Sequence, residues 1–286
     1  MNRTEPVNAA VRAGVQRGWI ELRQSLTNGM DLFSTFFWPV LTLAALYFMR
    51  DGSYEATGLG LGSLALPGVL GMLLAFTGLF GIAQYLALER EDGTLLRAKA
   101  TPNGMVGYLI GKILTTSGQV VVQVAVILVF GAILVGGVEL NSAGRWLTLL
   151  WVMALGLLAT LPLGAIIGSA FESPRSMGFL SLPIMGLVAI SGVFYPITAL
   201  PGWVQGAAQV FPIYWLGLGM RSAMLPDDAV AVEIAGSWRH WETAAVLGAW
   251  TVAGLLIAPI VLRRMARRES GANLAARREK ALQRAY

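Results

Sequence analysis

LEREDGTLLRAKATPNGMVGYLIGK, residues 88–112, decides how the chain folds. An apolar run ends at Leu88 and Glu89, Arg90, Glu91 and Asp92 follow without a break, so the chain leaves hydrocarbon for water there. Gly93 interrupts the helix, and Thr94 is placed to cap a new one in which Leu95 and Leu96 sit among Arg97 and Lys99. Thr101 and Pro102 form the next helix-start signal, because a proline in the first turn gives up no hydrogen bond. From Met105 the chain is apolar again. A short charged helical elbow between two membrane spans, with apolar residues at its tip, is shaped to dock into a groove on another protein.

The composition agrees. Of 286 residues 56% are hydrophobic and 13% charged, with mean hydropathy +0.64, whereas soluble domains are about 25% charged. The absence of cysteine removes disulfides and thiolate chemistry, and a single histidine gives no basis for a zinc or haem site. No catalytic, cofactor-binding or metal-binding residues are assigned. The net charge of +5 resides in basic residues that flank spans, where they set orientation, so a nucleic-acid partner is not expected. The first thirty residues lack the continuous apolar core of a signal peptide.

Working outward gives an all-α polytopic membrane protein with six transmembrane helices. Residues 1–30 carry Val11, Val15, Trp19, Leu22 and Leu26 at three- and four-residue steps between arginines, the spacing of an amphipathic interfacial helix; packing on a protein surface is the alternative. The expected spans are Leu32 to Met49, with Asp31 as cap, Leu66 to Leu88, Met105 to Val138, Trp146 to Ala170, Met177 to Phe194 and Trp241 to Leu262. A loop with Arg50, Asp51 and Glu55 follows the first, and a tight turn with Glu172, Pro174 and Arg175 the fourth. Lys112, near the start of the third, is expected to snorkel to the headgroups. The domain division is therefore 1–30, a six-helix unit over 31–262, and a basic tail over 263–286.

Six crossings put both termini on one side. All but four of the 21 Lys and Arg residues fall on that side, the exceptions being Arg50, Arg145, Arg221 and Arg239. Cytoplasmic termini and a cytoplasmic coupling helix between the second and third spans follow, in a cell (inner or plasma) membrane. Tyr47, Trp146, Tyr195, Trp203, Trp215, Trp238 and Trp241 gather at the opposite boundary. Near them, SGVFYPITALPGWVQGAAQVFPIY, residues 191–214, breaks an apolar stretch at Pro196, Pro201 and Pro212. Broken backbone at membrane depth is tolerated only where protein or water covers it, so a re-entrant outer hairpin is expected between the fifth and sixth spans.

This pattern resembles the permease subunits of ABC-2 type exporters, among them multidrug and antibiotic-resistance efflux permeases. Ser191, Gly192, Phe194 and Pro196, then Leu200, Pro201 and Trp203, then Pro212, Tyr214 and Arg221 are similar to that family's outer motif. Glu89, Arg90, Glu91, Gly93 and Thr94 resemble its elbow, as do Thr101-Pro102 and Gly111-Lys112; Arg97 and Lys99 interrupt the leucine-rich run usual after Gly-Thr. The resemblance implies a dimer, homodimeric or of paired homologous permeases, with each half resting on a separate ABC ATPase that binds ATP and Mg. Loop 89–103 would couple the two, with Glu89, Arg90, Glu91, Gly93, Thr94, Leu95 and Leu96 at the contact. No phosphate-binding loop is complete here, since Gly107–Ile113 reads GYLIGKI.

Other features stay open between two readings. Gln84, Gln119 and Gln123 either line a substrate path or hydrogen-bond between helices. The pairs Gly107/Gly111 and Gly164/Gly168 bring helices close within one protomer or across a dimer. His240 between Trp238 and Trp241 is an interfacial anchor, and the basic tail is expected to meet anionic membrane lipid. An intramembrane enzyme or a secondary transporter is the alternative function, opposed by the lack of Asp, Glu or His at depth within the spans. The composition favours a hydrophobic or amphipathic small molecule or a lipid as substrate.

Overall fold

The computed structural model describes residues 5–52, 60–171 and 174–268, without the side chains at 5–7, 174–177, 179 and 180. Arg3, Glu55, Glu172, the Arg175 side chain and the tail beyond Arg268 lie outside what is described. The described residues form ten α-helices: α1 (Glu5–Ser25), α2 (Gly29–Met49), α3 (Leu61–Glu91), α4 (Thr94–Lys99), α5 (Gly104–Val135), α6 (Ala143–Ala170), α7 (Pro174–Ile190), α8 (Gly202–Val210), α9 (Pro212–Met224) and α10 (His240–Arg268).

Five of them, α2, α3, α5, α6 and α10, are long and apolar enough to cross a membrane. The expected fifth span is shorter than anticipated. α7 has 17 residues, about 25 Å at 1.5 Å per residue, less than the ~30 Å of a hydrocarbon core. It stops at Ile190, not Phe194, because Gly192 takes φ +62° and turns the chain. Likewise α5 ends at Val135, not Val138, where Gly136 and Gly137 both adopt positive φ. The cap of α2 is Asn28, whose side chain accepts the Met30 N–H at 3.0 Å; Asp31 sits inside the first turn. The last helix runs on to Arg268, so Arg263, Arg264, Arg267 and Arg268 are helical.

α3 is the axis of the molecule. It packs on α5, α6 and α9, and its faces are cut flat by small residues where neighbours come close. A β-carbon on Gly71 would lie 2.7 Å from the Gly217 nitrogen of α9, and one on Gly164 of α6 would lie 2.5 Å from the Leu79 carbonyl oxygen. Those contacts fix the backbone spacing, and the large side chains between them fill the rest: Leu66, Leu70, Leu74, Tyr214, Leu216 and Leu247 belong to one buried cluster. α9 lies almost wholly inside that cluster, buried at every position from Pro212 to Arg221.

α1 does not simply lie beside the other helices. It packs along the first half of α5, where Gly14 meets Gly107 and Gly18 meets Gly111 backbone to backbone. The Gly107/Gly111 pair therefore closes a contact within the protomer, as does Gly164/Gly168 against α3. Leu22 is buried in this seam, whereas Val15 and Trp19 remain exposed on the other side of α1.

Candidate coupling site

The elbow forms where α3 stops. Gly93, buried and at φ +82°, reverses the chain in a conformation an L side chain resists by about 1 kcal/mol. Asp92, rather than Thr94, supplies the capping oxygen: it accepts the Thr94 N–H at 2.7 Å. Thr101 closes α4 instead of opening α5, its hydroxyl donating to the Ala98 carbonyl at 2.9 Å. α5 then starts from Asn103 at φ +54°. Leu95 is driven inward, 1% exposed, into a cluster that includes Leu86, Tyr108, Leu262 and Met265, and α4 is seated against α3 and α5.

The acidic motif splits into two sets. Glu91, Asp92, Arg97 and Lys99 face outward, and Thr94 and Leu96 are half-buried. Glu89 and Arg90, both buried, point inward. Arg90 donates to the carbonyls of Ser169 at 3.3 Å and Phe171 at 2.8 Å, groups that the end of α6 leaves without helical partners. Glu89 enters a ring of four charges. Its Oε1 lies 2.6 Å from Lys112 Nζ and 3.4 Å from Arg17 Nη2. Glu21 on α1 closes the ring, 2.7 Å from Lys112 Nζ and 2.8 Å from Arg17 Nε.

Lys112 thus does not snorkel. Its side chain is 2% exposed, held by two carboxylates and 4.4 Å from the centre of the Tyr85 ring. An ammonium removed from water needs such partners, and two are nearer than any headgroup. Burial opposes ionisation of Glu21, but the hydrogen bonds and charges of Lys112 and Arg17 outweigh it and hold this carboxyl below its ordinary range. The second Glu89 oxygen and the Tyr108 hydroxyl are buried beside each other, the hydroxyl interacting with the Glu89 carboxylate and with no other partner.

The outer motif is brought only partly together. Gly192, Phe194, Pro196 and Arg221 line a cavity of about 60 Å³ with Leu61 and Glu233. Arg221 makes a two-pronged ion pair with Glu233, both nearly sealed from solvent, and donates to the Gly192 carbonyl at 3.1 Å. It ties α9 to the turn that ends α7. Ser191 is buried and bonds back to the Leu187 carbonyl, while Tyr214 is buried in α9 with its hydroxyl unpartnered. Pro201 and Trp203 sit apart on the exposed side of α8.

The three glutamines separate as well. Gln123 accepts from Thr77 of α3 at 3.1 Å and donates to the Thr35 carbonyl of α2 at 3.0 Å. That carbonyl is an orphan, because Pro39 four residues on has no N–H to give it. Gln119 pairs with the Tyr85 hydroxyl at 3.2 Å. Gln84 is exposed. Glu21, Arg17 and Glu233 were not singled out from sequence; the one available signal was a basic residue, Lys112 or Arg221, placed in an apolar stretch that must supply its counter-charge.

Five helices long and apolar enough to cross a membrane, one of them the buried axis α3, with a charged elbow beyond one end, define a multi-pass helical membrane protein. The chain belongs to the ABC-2 transporter family: it matches the ABC-2 family transporter protein family over residues 32–262 and is an ABC-type permease. A comparison with curated proteins finds no match.

Proposed function

We propose that the chain is the permease half of an exporter, with α4 as the elbow on which a separate ABC ATPase acts. The observation that carries this is the elbow itself, a six-residue helix seated by Leu95 on α3 and α5 while its charged face is left outward. Hydrolysis of ATP with Mg belongs to the partner, and the permease works as a dimer, of identical or homologous chains. Phe33, Phe37, Trp38 and Phe48 on α2 are exposed aromatic surface suited to a second permease or to lipid. The basic residues on one side of the spans support cytoplasmic termini and a cytoplasmic elbow in the inner or plasma membrane. The cargo is a hydrophobic or amphipathic small molecule or a lipid, expelled as in drug and antibiotic efflux.

α7 and the α8–α9 pair form the outer end of the pathway in this proposal, with α9 as the inner arm of a re-entrant hairpin. A secondary transporter remains the weaker reading. The carboxylates Glu21, half-buried, and Glu89, buried, are each paired with cations, which suits fixed charges better than carriers of a coupling ion. Purification of the tagged chain from its native membrane in mild detergent tests the proposal. A P-loop ATPase is expected at equal stoichiometry, with transport that requires ATP; transport by the isolated chain, indifferent to ATP, would refute it.

A further inference from the structure

We propose that Glu89, Lys112 and Glu21 are positioning residues that make α1 follow the elbow, so that a push on α4 moves α1, α5 and the end of α3 together. The proposal rests on reading α4 as the docking elbow.

The packing explains why such a link is needed. α1 touches the rest of the described chain almost entirely through α5. Its seam is Gly14 and Gly18 against Gly107 and Gly111, close backbone contact with no interlocking side chains at those points. The glycine contacts set separation, and beyond them Leu22 seats in the notch at Gly118 while the Thr115 hydroxyl donates to the Gly18 carbonyl at 3.2 Å, which holds α1 on α5. Charge ties that pair of helices to the end of α3. Glu21 on α1 and Glu89 in the last turn of α3 both reach Lys112, which projects from α5 between them. Glu89 lies four residues before Gly93, the pivot of the elbow, so a rotation of α4 about Gly93 acts on the turn that carries it.

The ring also allows movement without stranding a charge. Each cation lies within 4 Å of each carboxylate: Lys112 with Glu89 and Glu21, Arg17 with Glu21 and Glu89. Two pairings of the same four groups are therefore available, Lys112 with Glu89 and Arg17 with Glu21, or the reverse. The second oxygen of Glu89 carries no ion pair and faces the Tyr108 hydroxyl, so it can take over as the carboxylate turns. Exchange between them keeps the buried site neutral, so α1 shifts by one discrete step and not by a continuous slide.

The chain has no cysteine, so spin labels go only where cysteine is introduced. Labels at exposed Arg12 and Ala100 report the distance from α1 to the elbow, and labels at Arg12 and exposed Ile113 the distance from α1 to α5. Pulsed electron resonance on the full chain in lipid nanodiscs is compared between the original residues and the double variant Glu89→Gln with Lys112→Met. That variant keeps the Arg17 to Glu21 pair and leaves no buried charge uncompensated, so it retains its fold where Lys112→Met alone does not. In the double variant the α1-to-elbow distribution is expected to broaden, while the α1-to-α5 distribution stays as it is. In the complex with the co-purified ATPase, transport per ATP hydrolysed is expected to fall at least about fivefold, the low end of coupling between sites. An unchanged α1-to-elbow distribution, or a broadened one with full transport per ATP, would overturn the proposal. Should no ATPase accompany the chain, the docking reading fails, and the distances on the isolated chain still decide whether the ring ties α1 to the end of α3.

Discussion

Replacing Gln123 by Leu is expected to destabilise the protein only because Pro39 is present. Gln123 spends its amide on the Thr35 carbonyl, which Pro39 deprives of its helical partner. With Leu at 123 that oxygen stays buried beside Pro39, Thr35 being 8% exposed, with no donor in reach on its own helix. The Thr77 hydroxyl, the other partner, can turn to a carbonyl of its own helix and loses little. The loss is therefore one unsatisfied acceptor in an apolar setting, about 1 kcal/mol by the measured scale for hydrogen bonds between membrane helices and at most about 2. In a Pro39→Ala background the alanine N–H reaches the Thr35 carbonyl by the ordinary helical bond, and the same Gln123→Leu change should cost much less. Reversible unfolding in mixed micelles, read by tryptophan fluorescence for the four members of the cycle, measures this. A coupling energy of about 1 kcal/mol is expected, a roughly fivefold difference in equilibrium constant. An equal cost of Gln123→Leu in both backgrounds would refute the reasoning and leave Gln123 available as a pathway residue.

Three further outcomes are expected. The carboxyl of Glu21 is held below its ordinary range, so its contribution is present above the unfolded carboxyl value of about 4.3 and disappears as pH falls through the lower folded value; thermal stability should therefore fall more steeply below pH ~4 in the original chain than in Glu21→Gln, measured by differential scanning fluorimetry. Gly14→Val places a side chain where even a β-carbon would lie 2.4 Å from the Gly107 carbonyl oxygen, and should separate α1 from α5 at a cost of about 1–3 kcal/mol, seen as faster proteolysis of the α1 segment with the spans intact. Arg221→Met strands Glu233, 3% exposed, and should cost about 3–5 kcal/mol, whereas Arg221→Met combined with Glu233→Leu should recover most of it, by detergent unfolding.

How much of this was legible beforehand follows from what each residue responds to. The elbow was legible because Glu89 to Asp92 end an apolar run, and that signal depends on solvent alone. The helix ends at Val135 and Ile190 were placed a few residues too far, since Gly136, Gly137 and Gly192 look as apolar as their neighbours until the backbone turns at positive φ. Nor could hydropathy mark α9 as buried core, since lipid and protein interior reward the same residues; Trp203, exposed, and Trp215, buried, read alike. The ion ring was harder still. Glu21 and Lys112 stand 91 positions apart, and neither carries any local mark of the other. Yet a fully buried ammonium in an apolar helix implies a carboxylate, and the elbow motif offered one in Glu89. The outward residues Glu91 and Arg97 can change with whatever surface meets them, while Asp92 caps α4 and Glu89 and Arg90 answer to Lys112 and to the carbonyls at the end of α6. One eleven-residue run, 89–99, thus carries two different physical demands, and changing the charges of Glu91 and Arg97 should alter partner binding without disturbing the fold that presents them.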